Sequence, residues 1–457
     1  MMKNYIKSCP GGVLLFFSLA LFNQTANAEV NQLGEFVADQ TASTIIQVPD
    51  NYSTIQEAID AAPNNSEILV KNGIYYENIN FKGKTIYLHS QNGPVNTIID
   101  GQERTSVVTL NSDEGNDTIL DGFTIRNGYA ISGGGIYCSN ASAKITNCNI
   151  VNNQSKEYGA GIYGEKSSLI VSDCNINNNK NELFGGGIAA LDSLLTVINC
   201  ILSDNTAYNG GGLNLQNSST EITKCIINDN SADGGGGLVC IDSPIRIDNC
   251  EISNNVAEIY LEGGGGIYFS SSNDAIISNC KIINNLSHGP GGGISCSNSS
   301  PQIIDCYISN NVTYHEAPWT DYMDGAGISC LWNSSPSISG CVIENNSAIN
   351  CGGGIVCGVG SSPIITACII RNNKAVKHGG GIESFRQSLP QISNCIIEGN
   401  IASMGGGAAF TMASTAAIKN CIISKNNASS SGGGFYCEDS SSPQITNCVV
   451  SGCSKIK

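Results

Sequence analysis

The sequence is poor in charged residues, and basic residues are the scarcer kind. Asp, Glu, Lys and Arg make up only 13% of the 457 residues, and 22 Lys and Arg against 38 Asp and Glu give a net charge of −16. A nucleic-acid-binding surface needs a basic stripe, which this composition does not supply. A polyanionic sugar would also be repelled unless a cation bridged it. We therefore expect no nucleic-acid partner.

Long apolar runs are also missing after the first 28 residues. No later stretch approaches the ~18 uninterrupted apolar residues of a transmembrane helix. At the start of the chain, Lys3 and Lys7 precede a short apolar run at 13–22 and a small-x-small site at Ala26–Ala28. This pattern is typical of a secretory signal peptide. We expect an exported protein, in the periplasm, outside the cell or on its surface, whose net charge changes from −16 to −18 when both lysines are removed.

A sustained helical stripe is absent from the repeats, and a cysteine column organises them instead. Aligned on these cysteines, Ile or Val nearly always stands three positions before and an aliphatic residue two positions after. Asn usually follows five positions after, and a glycine cluster closes the unit. Most spacings are 25 to 27 residues, with two longer ones. The column consists of Cys148, Cys174, Cys200, Cys225, Cys250, Cys280, Cys306, Cys341, Cys368, Cys395, Cys421 and Cys448.

The repeat predicts an all-β solenoid. Ile145, Cys148 and Ile150 belong to short apolar pairs that alternate with the period of a strand buried on one face. Three short strands per coil cannot bury their inner face alone, so neighbouring coils must stack in parallel, ~4.8 Å apart. The glycines suit a corner with positive φ or close backbone approach. The Asn column predicts an amide ladder at another corner.

The segment before the repeats predicts a cap. Thr54 and Glu57 have the spacing of a capping box, and Ile55, Ala58 and Ile59 form one apolar helix face. A parallel β-helix of about 12 regular coils, with N-terminal coils and this short capping helix, is therefore expected. We divide the chain into a signal peptide (1–28), a linker (29–44), the cap with the first coils (45–128) and the repeat coils (129–457). The last coil shows no cap, so we expect either a chain–chain contact there or a chain that is a shortened member of a longer class.

Two stretches resemble known families. Residues 46–101, which include Thr54–Ile59 and Ile98–Gly101, resemble the cap and first coils of pectin-methylesterase-like and pectate-lyase-like proteins. Residues 129–453 resemble the repeats of polymorphic outer-membrane proteins, with Gly133–Ile136 as the glycine element and Ile150–Asn153 as the second element. Both resemblances imply a right-handed parallel β-helix, a fold that carries lyases, hydrolases, adhesins and inert shafts alike.

The catalytic motifs of the enzymes with this fold are absent from the sequence. Neither the Gln-Asp and Asp-Phe-Ile-Phe-Gly segments of pectin esterases nor the Arg-x-Pro-x-x-Arg stretch of pectate lyases occurs. The Gly-His-Gly and Arg-Ile-Lys segments of polygalacturonases do not occur either. We therefore favour a secreted or cell-surface module that binds a polysaccharide or cell-surface glycan without catalysis. The alternative is an extracellular polysaccharide lyase or glycoside hydrolase.

The longest spacing of the column marks a candidate site. The residues inserted between Cys306 and Cys341 form a loop, and insertions in solenoids project from one face. Aromatic side chains of this loop offer flat faces for sugar rings, and its carboxylates suit a general acid and base or bound Ca²⁺. Residues of nearby coils are expected at the same corner, beside the loop. The candidates for catalysis are His315, Glu316, Asp321 and Asp324; those for ligand binding are Tyr260, His288, Tyr314, Trp319, Tyr322, Lys377 and His378; those for a metal are Asp321 and Asp324.

The cysteines leave two structural alternatives. Export usually favours disulfides, and a pair across the core such as Cys138 with Cys148 is one possibility. A buried ladder of free thiols is the other, and we favour it because six column cysteines have no partner of this kind. No C-x-x-C pair exists, so a metal site built from cysteine is not expected.

Overall fold

The computed structural model describes residues 45–259, 263–314 and 324–455. In these residues, short strands pair in parallel with the strands one coil away and build four sheets, here named A to D. Sheet B has 15 strands, of which three precede Cys148 and twelve each follow a column cysteine directly. The predicted all-β solenoid of about 12 regular coils with N-terminal coils is confirmed.

The strand bounds follow the repeat. Sheet A contains Ile46–Val48, Ser66–Val70, Ile86–Ser90, Ile119–Asp121, Ser142–Thr146, Ser168–Ser172, Leu194–Ile198, Ser219–Thr223, Ile245–Asp248, Ile276–Ser278, Gln302–Ile304, Ser337–Ser339, Ile364–Thr366, Gln391–Ser393, Ala417–Lys419 and Gln444–Thr446. Sheet B contains Gly73–Tyr75, Thr97–Asp100, Thr124–Arg126, Asn149–Val151, Asn175–Asn177, Ile201–Ser203, Ile226–Asn228, Glu251–Ser253, Lys281–Ile283, Tyr307–Ser309, Val342–Glu344, Ile369–Arg371, Ile396–Glu398, Ile422–Ser424 and Val449–Ser451. Sheet C contains Ile79–Asn80, Val108–Leu110, Ile136–Ser139, Ile162–Glu165, Ile188–Leu191, Leu213–Gln216, Leu238–Ile241, Ile267–Ser270, Ile294–Ser297, Ile328–Leu331, Ile355–Cys357, Ile382–Ser384, Ala408–Phe410 and Phe435–Cys437. Sheet D contains Tyr129–Ser132, Gln154–Tyr158, Lys180–Asn181, Thr206–Asn209, Ser231–Gly234, Val256–Ala257, Leu286–Ser287, Val312–Thr313, Ser347–Ala348, Lys374–Ala375, Ile401–Met404, Asn427–Ser431 and Ser454–Lys455.

The prediction of three strands per coil is wrong, because the strands of sheet D add a fourth to most coils. These strands lie between the buried Asn column and the glycines, where Gln154–Tyr158 reads Gln-Ser-Lys-Glu-Tyr. Such a segment lacks the apolar alternation that indicates a half-buried strand. Backbone pairing with the neighbouring coil forms the strand instead, since only Ser155 of these five side chains is buried.

The predicted capping helix α1 spans Ile55–Ala61. The Thr54 hydroxyl accepts the Glu57 backbone N–H at 3.1 Å, and the Glu57 carboxylate accepts the Thr54 N–H at 3.3 Å, which completes the capping box. The Glu77 carboxylate accepts two further free N–H groups of the first turn. Ile55, Ala58 and Ile59 are fully buried against the first coils.

The core is made of stacked aliphatic and thiol columns. Ile145 pairs with Val171 and Ile150 with Ile176 across adjacent coils, and all four are fully buried. The Cys148 N–H donates to the Cys174 Sγ at 3.4 Å, and this contact recurs along the column. The 20 cysteines of the described residues are free thiols. The predicted buried thiol ladder is confirmed.

The predicted Asn ladder is present and fully buried. From Asn153 to Asn400, each carboxamide donates from Nδ2 to the Oδ1 of the next coil's Asn, as from Asn205 to Asn230 at 3.0 Å. The same Oδ1 also accepts a backbone N–H, and Nδ2 reaches the carbonyl of the preceding coil. Every polar atom of the amide is thus paired inside a low-dielectric core, where an unpaired amide would be costly.

The glycine cluster sits where two coils nearly touch. One glycine of each cluster has a positive φ, such as +63° at Gly133, the first of its cluster. A Cβ on the third, Gly135, would lie 2.5 Å from the Gly161 carbonyl oxygen. The other corners use a left-handed residue that is often Asn or Asp, such as Asn147 and Asn152, because these tolerate that region best.

Candidate functional site

Most of the predicted loop site lies outside the described residues. This applies to Tyr260, His315, Glu316, Trp319, Asp321 and Tyr322. Among the residues that the structure does describe, His288 and Tyr314 lie in adjacent coils, with ring centroids 6.0 Å apart in an edge-on arrangement.

Asp324 and His378 lie in one column at the corner before the glycines. We name this the pre-glycine column: the residue directly before the first glycine of each cluster. Asp324, Cys351 and His378 occupy it in three successive coils, joined by backbone hydrogen bonds and a parallel bridge. The Asp324 carboxylate is buried and accepts the Asn350 N–H at 2.6 Å. Lys377 is adjacent to His378 and half-buried.

Glu383 is a buried carboxyl group that the sequence analysis missed. It occupies the outward-facing second position of its sheet C strand, yet it is fully buried. The Thr411 Oγ1 donates to Glu383 Oε1 at 2.8 Å, whereas Oε2 has no hydrogen-bond partner among the described residues. Burial raises the pKa of Glu383 to about 8. The carboxyl therefore keeps its proton at neutral pH.

A metal site built from the described residues is not present. No group of three or more His, Cys, Asp or Glu side chains in the described ranges is arranged to hold an ion. The predicted Ca²⁺ site also includes Asp321, outside those ranges, and stays a prediction.

A cleft lined by tyrosines lies on the same face, nearer α1. Its volume is about 830 Å³. Tyr158, in the pre-glycine column, stacks on Tyr163 and on Phe184, with ring centroids 5.2 Å apart in both pairs. Tyr137 lies 5.9 Å from Tyr163 at a tilt of 43°. These rings come from three successive coils and form a continuous aromatic wall. The lining residues are Arg104, Thr105, Ser106, Thr109, Tyr129, Ala130, Ile131, Ser132, Tyr137, Lys156, Glu157, Tyr158, Tyr163, Glu165 and Leu191.

The charges of the cleft balance. Arg104 and Lys156 supply two cations, and Glu157 and Glu165 two anions. The Lys156 Nζ lies 5.7 Å from the centroid of the exposed Tyr129 ring, a cation–π distance. Burial, and then the nearby Glu165 carboxylate, raises the pKa of Tyr163, so its hydroxyl stays a neutral donor and acceptor.

Column alignment would have found the two in-register pairs of this wall. Tyr137 and Tyr163 pair directly in register, and Tyr158 pairs with Phe184. The two members of each pair stand 26 residues apart in the sequence, and only 6% of residues are aromatic. The signal is therefore visible only after the glycine clusters are superposed.

Parallel strands that coil around one core define this molecule as a β-helix. Residues 106–265, 187–367, 242–404 and 326–456 match the family model described as a right handed beta helix region. These matches cover more than half of the chain, which therefore belongs to this family. The predicted right-handed parallel β-helix is confirmed.

Comparison with curated proteins finds no match. Similar solved structures include the catalytic unit of a thermostable GH87 alpha-1,3-glucanase from Streptomyces thermodiastaticus, at 12% identity over 88% of this chain and 70% of that chain, with a TM-score of 0.30. A mannuronic acid specific polysaccharide family 6 lyase from human gut microbiota has 13% identity, coverages of 85% and 78%, and a TM-score of 0.32. PfbA, a surface adhesin of Streptococcus pneumoniae, has 10% identity, coverages of 90% and 92%, and a TM-score of 0.30.

Within the described ranges, no helix has the length and apolar character needed to cross a membrane.

Proposed function

We propose that this protein is an exported β-helix module that binds a neutral glycan in the tyrosine-lined cleft, without catalysis. The observation that carries the proposal is that Tyr129, Tyr137 and Tyr158 line the cleft and are at least partly exposed. Tyr163 and Phe184 pack against Tyr158 and hold its ring in place. Flat aromatic rings pack against the apolar C–H faces of sugar rings, and tyrosine hydroxyls add polar contacts at the edge. Concave sites with an apolar lining and a few polar groups are where ligands usually bind.

The charge balance of the cleft supports a ligand without net charge. Two cations oppose two anions along its walls, so a polyanion gains little there, and the net charge of −16 opposes its approach. The wall spans three coils, or roughly 10 Å along the stacking direction. A short stretch of a polysaccharide chain, lying across the coils, fits this arrangement.

Binding of oligosaccharides tests the proposal. Neutral gluco-, galacto- and manno-oligosaccharides are titrated into the full chain by calorimetry, beside Tyr158→Ala and Tyr208→Ala variants. Tyr208 is an exposed tyrosine of sheet D that does not line the cleft, so its variant is the matched control. We expect Tyr158→Ala to weaken binding about tenfold or more, because it removes the central ring of the wall. Equal affinity in both variants would contradict the assignment.

A lyase or hydrolase in the groove beside residues 314–324 is the second candidate function. One observation favours it: His288 and Tyr314, two of the predicted site residues, are both partly exposed at this corner, and their rings meet edge-on at 6.0 Å. Release of unsaturated products and reducing ends from pectate, alginate and neutral glycans is followed with and without Ca²⁺. Turnover that is lost in His288→Gln or Asp321→Ala supports catalysis, and no turnover on any of these substrates contradicts it.

A further inference from the structure

Sheet B carries an apolar stripe on its outer face. Six successive strands begin with an apolar side chain that points away from the core, and these residues pair in register from coil to coil. Tyr307 is 38% exposed, Ile422 46% and Val449 59%, and the other three are partly exposed. The stripe consists of Tyr307, Val342, Ile369, Ile396, Ile422 and Val449, and at ~4.8 Å per coil it is about 24 Å long.

The stripe has a sharp boundary toward the N-terminal coils. The same column holds Lys281 and Glu251 in the two preceding coils. Solvated positions on a sheet face normally carry such polar residues. Six apolar residues in a row on a flat face therefore mark an interaction surface.

A short charge ladder runs beside the stripe. The third positions of three consecutive strands hold Glu344, Arg371 and Glu398. The Arg371 Nε donates to the Glu344 carboxylate, which also accepts the Tyr307 hydroxyl at 2.5 Å. Glu398 is partly exposed one coil beyond Arg371 and forms no salt bridge to it.

We infer that the stripe is a homodimer interface, in which two copies pack face to face with opposite axis directions. A two-fold axis between the coils of Ile369 and Ile396 sets each of these residues against the other in the second copy. The same axis sets Arg371 opposite Glu398 of the second copy, twice. Closed two-fold contacts of this kind are the commonest way in which identical chains associate.

Charge complementarity selects this arrangement and this partner. A two-fold axis parallel to the stack would keep the axis directions the same but reverse the strands. Arg371 and Glu398 of one copy would then lie on the other side of the stripe from their counterparts and form no charge pair. Branched aliphatic side chains offer no hydrogen bonds for sugar hydroxyls, and the stripe has a single aromatic ring. A protein face with the same aliphatic row is the better match. The inference concerns a surface distinct from the tyrosine-lined cleft and does not depend on the proposed function.

Sedimentation velocity over a range of concentrations tests the inference. The full chain is kept under reducing conditions, because Cys437 is exposed and could form an intermolecular disulfide. We expect a dimer that an Ile369→Thr/Ile396→Thr variant weakens by about tenfold or more. The matched control is Ile201→Thr/Ile226→Thr, in the same column and each 40% exposed but outside the stripe. It should keep the wild-type dissociation constant.

A charge swap tests the geometry. Glu398→Arg should weaken the dimer about tenfold, because it sets two like charges together twice. Adding Arg371→Glu to that variant should restore association, since the pair is then reversed. Circular dichroism checks that each variant keeps the wild-type strand signal. A wild-type chain that stays monomeric, or a dimer insensitive to both sets of variants, overturns the inference. So does a monomer whose oligosaccharide binding is lost in Ile369→Thr/Ile396→Thr, because the stripe is then a glycan surface.

Discussion

Asn285 shows how one residue type joins coils at a buried corner. Its backbone N–H and its Nδ2 both donate to the Asn311 Oδ1 at 3.0 Å, and Nδ2 also reaches the Ile252 carbonyl at 2.9 Å. Its own Oδ1 accepts two hydrogen bonds from Asn255. An apolar side chain of similar size would leave several of these buried groups without partners, and each such group costs about 1–3 kcal/mol.

We therefore predict that Asn285→Leu destabilises the protein by about 3 kcal/mol or more. Asn175→Leu is the control, because Asn175 is exposed and its side chain donates only to the Oδ1 of the partly exposed Asn149. The control should change stability by about 0.5 kcal/mol or less. Thermal and urea unfolding, followed by circular dichroism, measure both. Equal shifts would mean that the ladder contributes no more than a surface amide.

Glu383 should make stability depend on pH in the direction opposite to most carboxyl groups. Burial raises its pKa from 4.5 to about 8, so between these values the folded chain binds a proton that the unfolded chain has released. The contribution of Glu383 to the free energy of unfolding is therefore largest below about pH 4.5, and it falls as the pH rises toward 8.

The expected loss across this window is on the order of a few kcal/mol. Glu383→Gln keeps an acceptor for Thr411 and cannot ionise, so its unfolding midpoint should vary less between pH 5 and about pH 8 than that of the wild type. Glu221→Gln, at an exposed carboxylate of sheet A, serves as control. A Glu383→Gln profile parallel to the wild type would show that Glu383 does not titrate in this window.

At the scale of elements, the glycine corner depends on close approach as well as on backbone freedom. A Cβ on Gly381 would lie 2.5 Å from the Gly407 carbonyl oxygen, whereas a Cβ on Gly115 would meet nothing closer than 3.7 Å. Neither glycine has a positive φ, so the two sites differ in how closely neighbouring atoms approach and not in backbone conformation. We predict that Gly381→Ala costs about 2 kcal/mol and that Gly115→Ala is neutral or slightly stabilising. Matched denaturant curves measure the difference. A similar cost at both sites would show that neighbouring coils separate easily.

The elements that the sequence predicts are those with a fixed place in each repeat. The Cys148 column and the buried Asn column were predictable because one residue type recurs at one offset in each repeat. The helix α1 was predictable because Thr54 and Glu57 have the spacing of a capping box. Sheet D was missed, since segments such as Gln154–Tyr158 carry no apolar alternation and pair through backbone alone. A serine ladder was missed too: the Ser193 N–H donates to Ser218 Oγ at 3.1 Å, one coil on, although these serines recur seven positions before most column cysteines.

The candidate site was only partly predictable. Asp324 and His378 do share a corner, as the register implies, but their burial depends on side chains from several coils. The tyrosine wall depends on where outward positions of adjacent coils meet, and Tyr158 and Tyr163 come from different sheets. A single sequence shows offsets within one coil, whereas contact around a corner needs the turn geometry.

At the scale of the β-helix described by residues 45–259, 263–314 and 324–455, each coil bonds mainly to the coil before and the coil after. Stability in such an array is close to a sum of repeat and nearest-neighbour contributions. A local defect should therefore open neighbouring coils first and leave distant ones protected. The capping helix is the best place to test this, because it closes one end of the stack.

Ile59 of α1 is fully buried, while Ala61 of the same helix is exposed. Ile59→Asp places an unpaired charge against the first coils and should detach the cap, whereas Ala61→Asp adds the same charge to the solvent side. In hydrogen exchange, we expect Ile59→Asp to speed exchange of Ser66–Val70 and Ile86–Ser90 strongly, with little change at Ile396–Glu398. Ala61→Asp should resemble the wild type throughout. Exchange that accelerates equally in all coils of Ile59→Asp would contradict the nearest-neighbour description, because only a single cooperative unit carries a defect at one end to the other.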